Sequence, residues 1–492
     1  MTEHLPILQI IVPLISAPVC VLLRRKMLTW AFSLMVSLAV LCMAAMLLQQ
    51  VLESGPISYA LGNWSAPWGI EYRVDVVNAF VLLLVSIIGA VVLLYAPSSV
   101  AKEIPHDRHY LFYTAYLLCL TGLLGITITG DAFNVFVFLE ISALSSYMLI
   151  SLGEDRRALT AAYQYLVMGT IGATFILIGI GLMYMMTGTL NMADLSSRLP
   201  SMHGSRTILV AFAFLIVGMS LKLALFPLHM WLPNAYCYAP SVVTAFLAST
   251  ATKVSIYVFL RFVFTIFGVD FAFENLNLST FLLPLSLIGI FVASTVAIFQ
   301  TDIKRLLAYS SIAQIGYIML GVGLVSATSL TGSIVHLFNH AMMKGGLFLA
   351  VGCIMLRIGS VDLADWQGLG RRMPVTMAAF VLCGLSLIGV PMTVGFVSKW
   401  YLILAALEQG LWPVALLVLM SSLLAVIYIW RVVETAYFQA PADGAAKVKE
   451  APFLMQVSMW ILTGATLFFG VSTSLTVGVA QRAAEWLLGG SQ

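Results

Sequence analysis

The chain has 492 residues, of which 61% are hydrophobic and 9% charged, with a formal net charge of +3. A soluble globular protein carries about 25% charged residues, so the composition excludes a water-facing surface over most of this chain. The small net charge and the lack of a basic tract exclude a nucleic-acid binder, and the mean hydropathy of +1.01 fits a membrane protein.

Apolar runs of about 18 to 25 residues recur from end to end, the signature of membrane-spanning helices, and the alternating strands of an outer-membrane barrel are absent. The predicted fold is an all-α polytopic membrane protein of about 14 transmembrane helices. In chain order the spans fall near 5–23, 28–51, 74–95, 110–128, 131–152, 160–187, 206–236, 240–267, 279–300, 303–325, 328–357, 375–407, 412–438 and 452–482. The seventh, eleventh and twelfth are too long or too interrupted for plain helices. Few residues precede the first span and a second follows at once, which argues against a cleaved signal peptide.

Loop charge sets the expected orientation. Loops after odd-numbered spans carry Arg24, Arg25, Lys26, Lys102, Arg108, Arg156, Arg157, Lys304, Arg305, Arg357, Arg371, Arg372, Arg431, Lys447 and Lys449. Loops after even-numbered spans carry Arg73, Arg198, Arg206 and, near a helix end, Arg261. The excess of Lys and Arg marks the cytoplasmic side, so both termini are expected outside a bacterial inner (plasma) membrane. Six separated cysteines in or beside apolar stretches, with no CxxC pair, read as small buried hydrophobes rather than a zinc or iron–sulfur site. No GxxxxGKS/T loop and no GxGxxG opening a βαβ unit occur, so nothing implies a cofactor or a nucleotide motor. Energy then comes from an ion gradient or a partner.

Four lysines lie inside apolar spans: Lys222, Lys253, Lys344 and Lys399. A lysine at mid-bilayer costs at least about 2.5–3.5 kcal/mol, so such residues face a protein interior or a wet cavity unless a nearby helix end lets them snorkel. Lys253 has apolar turns on both sides, and Lys222 follows a long apolar run, so snorkelling suits neither. Glu140 is the one acid deep in a span, nine residues beyond Asp131 and so about 13 Å along a helix. A buried carboxylate and a buried ammonium stay charged while paired and favour their neutral forms when apart, so a pair that opens is a proton switch in principle. A purely structural ion pair is the alternative.

The eleventh span carries His336, His340 and Lys344 at a spacing of four, a polar stripe on one helix face. Two histidines so placed can bind a metal, but a lysine one turn on repels it, and proton relay is the better reading. A satisfied core histidine remains the alternative for His340. Gly332, Gly345 and Gly346 bracket the stripe and permit local unwinding. His229, between Pro227 and Trp231, stands at a predicted break or membrane edge, where an interfacial and a conducting role are both open.

Two segments share a layout: Gly218–Trp231, GMSLKLALFPLHMW, and Gly389–Tyr401, GVPMTVGFVSKWY. Each puts a lysine and a proline, Pro227 or Pro391, in a membrane helix, and they lie five spans apart. A five-span repeat has odd length, so its copies enter the membrane from opposite sides, the inverted architecture of many transporters. The expected division is 1–105 for helices 1–3, 106–270 for the first repeat (helices 4–8), 271–440 for the inverted second repeat (helices 9–13) and 441–492 for helix 14.

The segments GDAFNVFVFLEIS, SLKLALFPLHMWLPNAY, APSVVTAFLASTATKVSIY, QTDIKRLLAYSSIAQIGY, HLFNHAMMKG and GVPMTVGFVSKWY together resemble the antiporter-like subunits of respiratory complex I and of Mrp-type cation/proton antiporters. The resemblance covers about residues 75–435. It implies that Glu140 and Lys222 are coupled, that Lys253 and His336 bridge a hydrated central axis, and that Lys399 ends it. Lysine rather than glutamate at 399 is similar to the D-type subunit of Mrp antiporters or the N-type subunit of complex I, and the long lateral helix of the largest relatives is missing. It further implies partner membrane subunits, protons and Na+ as cargo, and no cofactor or redox chemistry of the chain's own. An Mrp-type antiporter subunit is the first expectation. A proton-pumping subunit of a quinone- or hydrogenase-linked complex is the second, and a passive channel or scaffold the third.

Overall fold

The computed structural model describes residues 2–441 and 448–489, and Lys447 lies outside these. In chain order the elements are α1 (Leu5–Leu23), α2 (Lys26–Ser54), β1 (Ile57–Ala60), β2 (Glu71–Val74), α3 (Val76–Glu103), α4 (His109–Ile128), α5 (Ala132–Ser151), α6 (Arg157–Thr187) and α7 (Met192–Arg198). There follow α8 (Arg206–Lys222), α9 (Trp231–Tyr238), α10 (Ser241–Leu260), α11 (Leu278–Ile298), α12 (Ile303–Leu324) and α13 (Ala327–Ile358). The last six are α14 (Leu369–Arg372), α15 (Pro374–Ile388), α16 (Val394–Glu408), α17 (Trp412–Phe438), α18 (Phe453–Val471) and α19 (Ser474–Leu487). Among the described residues twelve helices are long and apolar enough to cross a membrane. Two further apolar segments are interrupted, α8 to α9 and α15 to α16, and these are the expected seventh and twelfth spans.

Helix α3 gives the bundle its axis. Its 28 residues extend about 42 Å at 1.5 Å per residue. Asp75 caps one end, accepting from Val77 and Asn78 N–H, and the antiparallel β1–β2 hairpin precedes it. His4 reaches Tyr59 of this hairpin at 3.1 Å, and Trp486 of α19 lines a cavity with Glu71 and Asp75, so both ends of the described chain lie on this hairpin face. At the other end of α3, Glu103 accepts from Ser241 N at 2.8 Å, and its carbonyl accepts from Glu154 N at 3.3 Å. Arg24, Lys102, Arg157 and Lys304 gather at that second, arginine-rich face.

Between the faces the chain repeats itself upside down. Asp131 caps α5 by accepting from Asn134 N, and Asp302 caps α12 by accepting from Arg305 N. Asp131 bridges Asn191, and Asp302 bridges Asp362, with the same offset of 171 positions from Asp131 to Asp302 and from Asn191 to Asp362. The flanking bonds match as well, Ala132 N to Leu190 O at 2.8 Å and Ile303 N to Val361 O at 2.9 Å. Asn191 donates to Glu71 on the hairpin face, whereas Asp302 and Asp362 line a cavity with Lys102 and Glu103 on the opposite one. Equivalent turns at opposite ends of one helix axis are what an inverted repeat requires. The halves also bond to each other: Arg305 donates to Asn234 Oδ1 at 3.1 Å and Tyr238 Oη at 2.8 Å, and Lys304 to the Ala239 carbonyl at 3.0 Å.

Several expectations need correcting. The eleventh span is one unbroken 32-residue helix, α13. Its glycines admit neighbours instead of unwinding it: a Cβ on Gly345 would meet Leu462 Cδ1 at 2.5 Å, and one on Gly346 would meet Cys383 Sγ at 2.6 Å. The segment 452–482 is two helices, α18 and the shorter α19, which packs on α13 and α3. The loop expected after the second span contains the β1–β2 hairpin. Beyond α10, Arg261–Phe267 winds as a π-helix rather than continuing the α-helix of the eighth span.

Candidate functional site

Lys222 is the last residue of α8, and the chain leaves the helix at Ala224, φ +61°, ahead of Pro227, which supplies no N–H. The carbonyls freed by the break find other donors: Trp231 Nε1 bonds the Leu221 carbonyl at 3.0 Å, and Leu225 N bonds that of Ser220 at 2.9 Å. Glycines hold α8 close to α6, since a Cβ on Gly218 would lie 2.7 Å from the Gly172 carbonyl oxygen. In this setting Lys222 Nζ lies 3.4 Å from Glu140 Oε1 on α5, with side-chain exposures of 5% and 26%. Phe133 and Leu144 on α5 are exposed too, so the carboxylate looks out through an apolar flank of the bundle. A carboxylate there is stable only beside protein or water.

The centre of the bundle holds Lys253, His336, His340 and Lys344, each with 0% exposure. Lys253 Nζ donates to the Ala248 carbonyl at 2.5 Å, and Lys344 donates to the Leu307 carbonyl at 2.8 Å and to the Ser310 hydroxyl. His336 is held from both sides, Nε2 by Gln314 Oε1 at 2.9 Å and Nδ1 by Ser398 Oγ at 2.7 Å. With the amide oxygen facing it, Nε2–H donates and Nδ1 accepts from the Ser398 hydroxyl. A second proton on the ring turns Nδ1 into a donor, and the hydroxyl then has the Val394 and Gly395 carbonyls at 3.4 and 3.3 Å to turn to. His340 stacks on His336 with centroids 6.1 Å apart, and neither ring nitrogen has a hydrogen-bond partner among the described residues.

Lys399 lies on α16 just past the second break, where Gly389 at φ +95° ends α15. Its Nζ donates to the carbonyls of Ile388 at 2.8 Å and Leu387 at 3.3 Å and to Ser422 Oγ at 2.9 Å, and sits 4.8 Å from the Tyr317 ring centroid. The lysine therefore caps the broken helix, while Pro391 itself is exposed. His229 is buried, its ring against Phe226 at 5.3 Å and Tyr309 at 6.5 Å. The ring therefore packs among aromatic side chains beside the break.

Sequence reasoning missed the buried ion pair of Arg261 with Asp75, 2.5 Å long, and assigned the arginine to a loop. The one available signal was an acid directly before an apolar run, which reads as a helix cap and says nothing of a partner. It also missed a cavity of about 540 Å³ on the arginine-rich face, lined by Lys102, Glu103, Asp155, Asp302, Lys304 and Asp362. There a hydrogen bond from Arg157 holds the Asp155 carboxyl below the usual carboxylate range.

Two inverted halves, each with a helix broken beside a buried lysine and joined by further buried lysines and histidines, define an ion-handling subunit of the membrane-transporter class. Sequence comparison agrees. The family described as NADH:quinone oxidoreductase/Mrp antiporter, TM, matches residues 129–425, and the chain belongs to it. Among its relatives, the N subunit of the NADH-quinone oxidoreductase of Desulforudis audaxviator is 42% identical over 92% of this chain and 90% of its own. The D subunit of the Na(+)/H(+) antiporter of Bacillus subtilis is 31% identical over 98% of this chain and 97% of its own. Among solved structures, a chain of an archaeal membrane-bound sulfane sulfur reductase superposes with a TM-score of 0.90 at 31% identity, covering 99% of this chain and 98% of that one. A chain of the Mrp complex from Dietzia sp. DQ12-45-1b gives 0.89 at 25% identity, covering 99% and 97%.

Proposed function

We propose that this chain is the proton-translocating subunit of a multi-subunit Na+/H+ antiporter, with 14 crossings of a bacterial plasma membrane and both termini outside. The repeats span 106–270 and 271–440, between the helices of 1–105 and the closing segment 441–492. The observation that carries the reading is the Glu140–Lys222 contact at 3.4 Å, set at a helix break and followed by the buried Lys253, His336 and Lys399. Glu140 and Lys222 hold one another charged while in contact. Separating the two charges changes the field at Lys253, and with it the proton occupancy of that lysine. His336 passes the proton by turning Ser398, and Lys399 takes it at the far break. His340, Lys344 and His229 are secondary participants. The chain supplies no redox or nucleotide chemistry, so the driving force reaches it as an ion gradient or through partner subunits.

A second reading, a proton-pumping subunit of a redox-driven complex, is favoured by the 42% identity to a quinone oxidoreductase subunit. Both readings use the same proton path. Purifying the complex and identifying its subunits separates them: small antiporter subunits support the first, iron–sulfur subunits the second. A passive scaffold predicts that Glu140→Gln leaves proton flux in reconstituted vesicles unchanged, and that result would overturn both.

A further inference from the structure

Lys253 shares a helix face with a buried polar cluster that leads to the hairpin face and that the path through Lys399 leaves unused. Lys253, Tyr257 and Arg261 follow at four-residue spacing and so share one face of α10 and its extension. Tyr257 Oη donates to the Thr127 carbonyl at 2.9 Å and accepts from Arg261 Nε at 2.9 Å. Arg261 then reaches both carboxylate oxygens of Asp75 at 2.5 Å. Tyr257, Arg261 and Asp75 are all buried, yet they line a cavity of about 230 Å³ on the hairpin face together with Glu71, Arg73 and Trp486. Two acids and two arginines leave this cavity without net charge, which suits passage of a proton better than residence of a cation.

The backbone changes at the same point. The α-helix of α10 gives way to π winding at Arg261, the residue that clamps Asp75, and Gly268 at φ +81° ends that segment. Single-turn π segments recur at functional positions, and a buried ion pair is weak as a device for stability alone.

We infer that Tyr257 and Asp75 form a proton outlet from Lys253 to the hairpin face, gated by the Asp75–Arg261 pair. The inference rests on the proton-translocating reading. Lys253 and Tyr257 are one turn apart, a backbone rise of about 6 Å, and the ammonium has to leave the Ala248 carbonyl and turn toward Tyr257 for water to bridge the step. The Lys253 ammonium gives up a proton to the Tyr257 oxygen, and the hydroxyl passes its own proton to Asp75 when Arg261 swings away. Asp75 releases that proton to the cavity, and Arg261 closes on the carboxylate again. Tyr257, Asp75 and Arg261 return to their starting forms, Lys253 is left neutral until it is protonated again, and one proton is outside.

The test uses the intact complex in proteoliposomes. Tyr257→Phe keeps the ring and the ion pair and removes only the relay oxygen. Proton turnover is expected to fall about tenfold or more with subunit assembly unchanged. In a Cys42→Ser background, which removes the exposed native cysteine, Ser196→Cys places a thiol in the cavity lining. A membrane-impermeant anionic thiol reagent should slow this variant and leave Ser201→Cys, exposed nearby outside the cavity, at its parent rate. Should Tyr257→Phe fail to assemble, the labelling experiment decides alone. Lys253→Ala runs beside them. If it transports normally, the proton-translocating reading falls. If it is inactive while Tyr257→Phe and labelled Ser196→Cys both run at the parent rate, the outlet alone falls.

Discussion

Lys399 Nζ donates to the Ile388 carbonyl at 2.8 Å, across a break of the very helix that the lysine follows, so one side chain both carries the charge and closes the broken end. Lys399→Ala removes both functions. Proton exchange should drop, and stability should fall by about 1–3 kcal/mol from the carbonyls left unpaired. Lys399→Arg keeps a donor and should recover most of the stability while transport stays low, because an arginine does not release its proton. Thermal unfolding in detergent beside vesicle flux measures the two separately, and normal exchange in Lys399→Ala removes the lysine from the path.

Glu140→Gln keeps shape and hydrogen bonding and deletes the charge that can switch. The variant should assemble and lose most proton transport. A purely structural pair predicts instead that the double change Glu140→Gln with Lys222→Met regains activity. Transport restored in that double variant would rule out the switch, since neither charge remains to carry it.

Ser398 positions His336 through a 2.7 Å contact. Ser398→Ala leaves Nδ1 without its partner and should slow transport by about tenfold with folding unaffected. Ser398→Thr restores a hydroxyl and should recover most of the rate. Equal rates for alanine and the parent would mean that the ring is held by Gln314 alone.

Asp75→Asn breaks a buried pair and leaves Arg261 charged in the interior, which should lower stability by about 3–5 kcal/mol. Replacing both partners, Asp75→Leu with Arg261→Met, should restore the part of that loss due to the unpaired charge in thermal unfolding, while the lost cap of α3 keeps a cost of about 1 kcal/mol. A single change with no effect on unfolding would show that water reaches the guanidinium.

Orientation is checked by impermeant thiol labelling from outside the cell. A cysteine added after the last residue should react, and Gln367→Cys should be protected. The reverse pattern would invert the proposed topology.

The lysines and breaks were legible because a charge or a proline stands out inside an apolar run, where nothing else explains it. The repeat showed in the lysine and proline shared by Gly218–Trp231 and Gly389–Tyr401 for the same reason, whereas the matching turns of Asp131 with Asn191 and Asp302 with Asp362 sit at helix ends and in loops that look ordinary. Glycine misled: in α13 it marks places where Leu462 and Cys383 come close, and a one-dimensional reading cannot tell close packing from a bend. The Asp75–Arg261 pair was out of reach because its members lie 186 residues apart and each stands at a helix end, where contact with water is the ordinary expectation.

The bonds of Arg305 and Lys304 to Asn234, Tyr238 and Ala239 tie the second half to the first directly behind a helix break. A carrier that opens to one side and then the other by swinging its halves would have to undo this rivet in every cycle. A frame fastened in this way works like a wire rather than a revolving door: it favours a cargo that hops between fixed groups, as the proposed proton path does.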